Sequence, residues 1–169
     1  MNSKLVVELI PRDQKDLLRN LMQPYGHDLS EFNQDDPDDL GSFGVGSYFD
    51  AYWTEATRYP FKILAKEALA GFALIRELEP GCHSIAEFFI LRRHRRSGIG
   101  RDAAQHLFSR FPGIWHVAQD EENVPAQRFW RKIIGEYTNG DFKDEWSVEQ
   151  PTGPKQVFSN KEPLTQQHA

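Results

Sequence analysis

The chain of 169 residues holds one cysteine, Cys82, so no intrachain disulfide can form and nothing in it points to an oxidising compartment. Long hydrophobic runs are missing as well. The apolar stretch LVVELI near the N-terminus is short and broken by Glu8, which excludes a signal-peptide core and a membrane span. No membrane partner is expected, and the cytoplasm is the expected location. A basic surplus is also lacking. The net charge of -5 argues against a general nucleic-acid binder, because such binding needs an extended basic footprint on phosphates. With 39% hydrophobic and 27% charged residues, disordered and collagen-like classes are excluded. The length suits one domain, expected over residues 1–160, followed by a polar tail at 161–169 with little to bury.

Two local absences say more. From Asn20 to Thr57 there is no Lys or Arg, while Asp28, Glu31, Asp35, Asp36, Asp38, Asp39, Asp50 and Glu55 fall there. Between Phe88 and Arg101 the balance reverses: Arg92, Arg93, Arg95, Arg96 and Arg101 stand without a single acid. One region suits a cationic ligand and the other an anionic one.

Periodicity orders the elements. Residues Lys4 to Ile10 read as a strand. Leu17, Leu18, Leu21, Met22 and Tyr25 recur at helical spacing, and Pro24 with Gly26 should bend or end that helix. A loop is expected from Gln34 to Gly46. Pro60 to Ala65 and Leu69 to Leu78 form a hairpin, and after a break at Gly81-Cys82-His83 the run SIAEFFIL reads as a central strand. A helix from Ile99 ends at Pro112-Gly113, and a strand covers Ile114 to Ala118. A second amphipathic helix follows Asn123 and ends at Gly135, with two strands after it. This order gives a mixed sheet with helices on its faces.

The segment Arg95-Arg96-Ser97-Gly98-Ile99-Gly100 lies between a buried strand and an amphipathic helix. The first amides of a helix lack internal partners and carry partial positive charge, so such a turn can hold a diphosphate. Gly98 and Gly100 permit close backbone approach, and the arginines add charge-assisted bonds. Arg95, Gly98 and Gly100 resemble the acyl-CoA signature of the GNAT acetyltransferase superfamily, in which Arg or Gln is followed by two residues, Gly, one residue, and Gly or Ala. Asn123, Ala126, Phe129 and Lys132 are similar to that superfamily's later Asn-x-x-Ala-x-x-Phe-x-x-Lys pattern. The runs AEFFILRRHRRSGIG and PAQRFWRKIIGEY most resemble a subgroup of predicted bacterial acetyltransferases.

The resemblance implies an α/β (α+β) fold, with a mixed, mostly antiparallel central sheet of about six or seven strands flanked by about four helices. It implies acetyl-CoA as acyl donor, no metal, and an amine as acceptor. The diphosphate would lie on Arg95, Arg96, Ser97, Gly98, Ile99, Gly100 and Arg101. The oxyanion and pantetheine arm would meet backbone amides around Phe89, Ile90 and Leu91, with Asn123, Phe129 and Trp130 beside the cofactor. Asn123 also reads as a helix cap.

Direct transfer needs a base, because a protonated amine is no nucleophile. Glu87 is the preferred candidate as the only acid in an apolar strand, where burial raises a carboxyl pKa. A carboxylate at the sheet edge or paired with an arginine is the competing reading. His116 is the second candidate. The superfamily often places a Tyr immediately after the helix Phe to protonate the departing thiolate, and this chain has Trp130 there. An indole cannot deliver that proton, which leaves water, Tyr137, or no acid at all.

Aromatics and acids interleave from Tyr25 to Trp53, a mixture suited to a cationic amine through ion pairing and cation–π contact. The expected acceptors are a small molecule such as a polyamine or aminoglycoside, or a protein lysine or N-terminus. A catalytically inactive acyl-CoA-binding sensor is the alternative from another class. A homodimer is left open.

Overall fold

A computed structural model describes residues 5–161. The strands are β1 (Leu5–Leu9), β2 (Arg58–Ala65), β3 (Ala68–Glu79), β4 (Cys82–Ile90), β5 (Ile114–Ala118), β6 (Lys143–Ser147) and β7 (Gly153–Ser159). The helices are α1 (Lys15–Asn33), α2 (Ile99–Arg110) and α3 (Val124–Thr138). Short 3-10 turns cover Arg12–Gln14, Asp50–Trp53 and Arg92–His94. The expectation of about four helices is thus corrected to three α-helices among the described residues. The acidic, glycine-containing stretch after α1 has too few apolar residues for a helix face and forms a loop ending in the 3-10 turn.

All seven strands form one sheet in the order β1-β2-β3-β4-β5-β7-β6. Every neighbouring pair is antiparallel except β4 with β5. One face carries α2 and α3 over a core that includes Phe61, Ile75, Phe108, Trp115 and Ile134. The other carries α1 and the Asp50–Trp53 turn over Leu18, Met22, Tyr52, Phe72 and Phe89. The β2–β3 hairpin turns on Lys66 and Glu67, both left-handed at φ 49° and 68°.

Three boundaries differ from the sequence expectation. Helix α1 runs through Pro24 and Gly26 to Asn33. Past the proline, Tyr25 packs on Phe72 and Phe89, and that contact offsets the single backbone bond that proline forfeits. Gly26 seats the loop: a Cβ there would lie 2.7 Å from the Cβ of Phe43. Strand β4 begins at Cys82, because Pro80 and a left-handed Gly81 complete the reversal and free Cys82 and His83 to pair with β5. Helix α3 passes Gly135 and stops at Asn139, whose φ of 53° lets its amide bond the Gly135 carbonyl. Burial of Ile133 and Ile134 and the packing of Tyr137 on Phe108 carry the helix across the glycine.

Two irregularities of β4 shape the site. Its pairing with β3 slips between Leu74↔Glu87 and Ile75↔Ile85, leaving Ala86 as a bulge. Ala86 packs with the α1-side core and Glu87 also turns to α1, so two successive residues share a face that simple alternation would divide. On its other edge β4 pairs with β5 only through Cys82↔Ile114, His83↔Trp115 and Ser84↔His116. Beyond Ser84 no strand among the described residues lies beside that edge of β4.

Candidate active site

The open edge of β4 leads to the N-terminus of α2. The Leu91 amide donates to the Ala70 carbonyl at 2.8 Å, so of the three amides expected to be free this one is taken. Alternation along the strand then turns the amides of Phe88 and Ile90, not that of Phe89, toward the gap. The loop that follows reaches α2 through Arg96 at φ 59° and Gly98 at φ 84°. No side chain caps α2, and its first cap bond is Asp102 N–H to Gly98 O at 2.9 Å. The amides of Gly98 to Arg101 therefore point out of the helix with partial positive charge, and this uncapped end fits an anionic diphosphate.

The two sequence signatures meet in space, since a Cβ on Gly100 would lie 3.3 Å from ring carbons of Phe129. Asn123 caps α3 by accepting from the Ala126 amide at 3.1 Å. Trp130 is buried against Phe88, Phe108 and Phe129. Ser97 donates to the His94 carbonyl at 2.6 Å and so shapes the loop. Arg96 is exposed at the loop tip, and Arg101 is bonded to Asp102 at 2.9 Å. Arg95 is not free: its Nε donates to Ile90 O at 2.7 Å and its guanidinium pairs closely with Asp28.

On the α1 face a cavity of about 430 Å³ opens between α1 and the loop that follows it. Tyr25, Leu29, Phe43 and Tyr48 line it, Asp35 and Asp36 contribute acid, and Glu87 reaches it from β4. The Glu87 carboxylate is gripped from two elements. Tyr25 of α1 donates to Oε2, and Tyr48 of the loop donates to Oε1 at 2.6 Å. Burial pushes the Glu87 pKa up, the two hydroxyl donors draw it partway back, and it remains raised. Burial and the neighbouring carboxylate raise both tyrosines well above their ordinary range, so they stay protonated as donors. Each carboxylate oxygen keeps a lone pair beyond the one a tyrosine uses. Tyr52 is buried beside Tyr48, its pKa pushed up to about 12 chiefly by burial, with Arg58 5.4 Å over its ring.

The other two catalytic candidates lie apart from Glu87. His116 pairs in the sheet with Ser84 and Val157; burial and then Lys155 lower its pKa, which keeps it neutral near pH 7. The Tyr137 hydroxyl is 3.1 Å from Ser109 Oγ and accepts from Asn160 at 3.3 Å on the α2–α3 face. Sequence reasoning placed Tyr25 and Tyr48 in the acceptor region but missed their hold on Glu87. Hydroxyl donors on both sides of an acid next to a bulge leave no local pattern.

The model of the acetyltransferase (GNAT) family matches residues 20–135, well over half of the chain. The chain belongs to the GNAT acetyltransferase family. No curated protein matches the sequence. Among solved structures, an acetyltransferase from Thermus thermophilus is 15% identical with a TM-score of 0.66, covering 94% of this chain and 99% of that one. The aminoglycoside acetyltransferase AAC(6')-Ib, in complex with coenzyme A, is 14% identical with a TM-score of 0.65 over 93% and 95%. A GNAT acetyltransferase from Staphylococcus aureus is 13% identical with a TM-score of 0.63 over 94% and 100%. At these identities the likeness is one of fold. The seven-stranded, mostly antiparallel sheet with its helices matches the GNAT fold. No described helix is long and apolar enough to cross a membrane.

Proposed function

We propose that this GNAT chain is an acetyl-CoA-dependent N-acetyltransferase that acts on the amine of a cationic small molecule, with Glu87 as the general base. The observation that carries the reading is Glu87 itself. A partly buried carboxylate of raised pKa faces a cavity from the strand whose open edge runs to the uncapped end of α2. In support, AAC(6')-Ib has also been solved with coenzyme A and kanamycin, and kanamycin is an amine-bearing cation.

The donor supplies an electrophilic thioester carbonyl. The amides of Gly98 to Arg101 hold its diphosphate, and the Ile90 amide faces the gap in which its amide-bearing arm would add to β4 as an extra strand would. In the cavity Asp35, Asp36 and the aromatic rings favour an ammonium ion. A lone pair on the Glu87 carboxylate takes the proton whose loss turns the ammonium into a nucleophile; the amine nitrogen then bonds the thioester carbon, the C–S bond breaks, and CoA leaves as its thiolate. Tyr25 and Tyr48 keep that carboxylate aimed and ionised. A cavity between a helix and a loop suits a small molecule better than a lysine on a folded protein surface.

The test is thiol release from acetyl-CoA with a panel of polyamines, aminoglycosides and lysine peptides. The small cations should give turnover, and a Glu87→Gln variant should lose it while still binding CoA. Trp130, which has no ionisable proton, favours one second reading, a binder of acyl-CoA without turnover. Tight CoA binding with no thiol release across the whole panel would select it.

A further inference from the structure

Glu87 and its two tyrosines leave unexplained a cluster of opposite charge one helical turn further along α1. Asp28 accepts from Arg92 at 3.2 Å and forms a close ion pair with Arg95, while His27 Nδ1 lies 3.6 Å away. The Asp28 side chain is only 21% exposed. Burial would push its carboxyl up, but Arg95 and then Arg92 outweigh that and hold it below the usual range. Arg95 is engaged on three sides: Asp28, the Ile90 carbonyl at 2.7 Å, and the Phe89 ring at 5.5 Å. Its planar fork is in use before any anion arrives, and the side chain forms a strut between the end of β4 and α1.

Tyr25 and Asp28 stand at i and i+3, on the same face of α1. The Tyr25 ring packs 5.5 Å from that same Phe89 ring. Just before them Pro24 offers no N–H to the helix, so residues 25–33 are joined to the first half of α1 by a ladder with a rung missing. That second half carries Tyr25, Leu29 and Asn33 of the cavity wall. We infer that Asp28 is a positioning residue whose bridge to Arg95 and Arg92 fastens the wall of the acceptor cavity to the donor loop and thereby keeps Tyr25 on Glu87. The kinetic side of this inference rests on Glu87 as base; the structural side does not.

The test uses the full chain with Asp28→Asn, Arg95→Gln, the double variant, and Asp28→Glu as the conservative rescue. Deuterium uptake at residues 25–33, the Kd for CoA by calorimetry, and the KM and kcat for an accepted amine are measured. Asp28→Asn should raise uptake over 25–33 and raise the amine KM by about tenfold with a fall in kcat, because a misplaced wall misplaces the base. The Kd for CoA should stay within about twofold, since the orphan amides do not depend on the bridge. Asp28→Glu should restore most of the loss. The double variant should be no worse on the amine side than the poorer single one, as both break the same bridge. Unchanged uptake overturns the inference. So does a CoA Kd weakened tenfold or more with amine KM intact, which would make Asp28 part of the donor site alone. If the protein acetylates no amine yet Asp28→Asn still loosens 25–33, the base assignment fails and the tether stands. Should Asp28→Asn not fold, the same uptake comparison in Arg95→Gln decides, since it severs the bridge from the other side.

Discussion

The two sides of the site are made of different material. The proposed donor side is backbone: unpaired amides at the head of α2, a left-handed Gly98, and an edge of β4 left open beyond Ser84. The proposed acceptor side is side chains brought together over long distances, with Glu87 meeting tyrosines 62 and 39 residues earlier in the sequence. A backbone site is encoded by a few consecutive residues and tolerates variation around them. A side-chain site is encoded by the fold as a whole, and small changes in α1 or its loop would alter what it accepts.

That contrast predicts how substitutions divide. The largest effect should come from Glu87→Gln, which removes the proposed base while keeping the size and shape of the side chain. The kcat should fall by about 10²–10⁴-fold with the CoA Kd unchanged. A kcat within a few fold of the parent would take Glu87 out of the mechanism. Next is Gly98→Ala, a donor-side change at φ 84°. A left-handed alanine costs about 1–2 kcal/mol, so relaxation of the turn should weaken CoA by about tenfold in calorimetry and leave the amine KM alone. Equal losses on both sides would mean that the two are less separable than the geometry implies.

A finer test is pH. As the proposed base Glu87 acts when ionised, and its pKa is raised, so kcat/KM should climb as pH rises through that pKa and then level off. Tyr48→Phe removes a donor that favours the ionised form, so the pKa should rise further and the acidic limb should move to higher pH. A limb that stays in place would show that Tyr48 packs beside the carboxylate without tuning it.

The same contrast explains what could be read from sequence. Arg95-Arg96-Ser97-Gly98-Ile99-Gly100 and Asn123 to Lys132 were legible because loop and cap chemistry is local, and the succession of strands and helices along the chain followed from period and turn residues, whereas the order of the strands in the sheet did not. The hold of Tyr25 and Tyr48 on Glu87 was not, because it depends on a bulge at Ala86 that no residue type announces. The engagement of Arg95 by Asp28 was hidden for a similar reason: opposite charges in separate blocks suggested two ligands, and the fold joins one pair of them to each other. Pro24 and Gly26 misled in the opposite direction, since their local preference to break a helix yields to the packing of Tyr25 on Phe72 and Phe89.

The β2–β3 hairpin has a consequence for handling the protein. Two successive left-handed residues describe a type I′ turn, whose preferred occupants are Asn and Gly, whereas this chain uses Lys66 and Glu67. The paired substitution Lys66→Asn with Glu67→Gly should relieve that mismatch and add about 1 kcal/mol of stability, visible as a higher melting temperature. A variant toughened in this way would be a better starting stock for the more disruptive exchanges along α1, whose readouts require a protein that survives them.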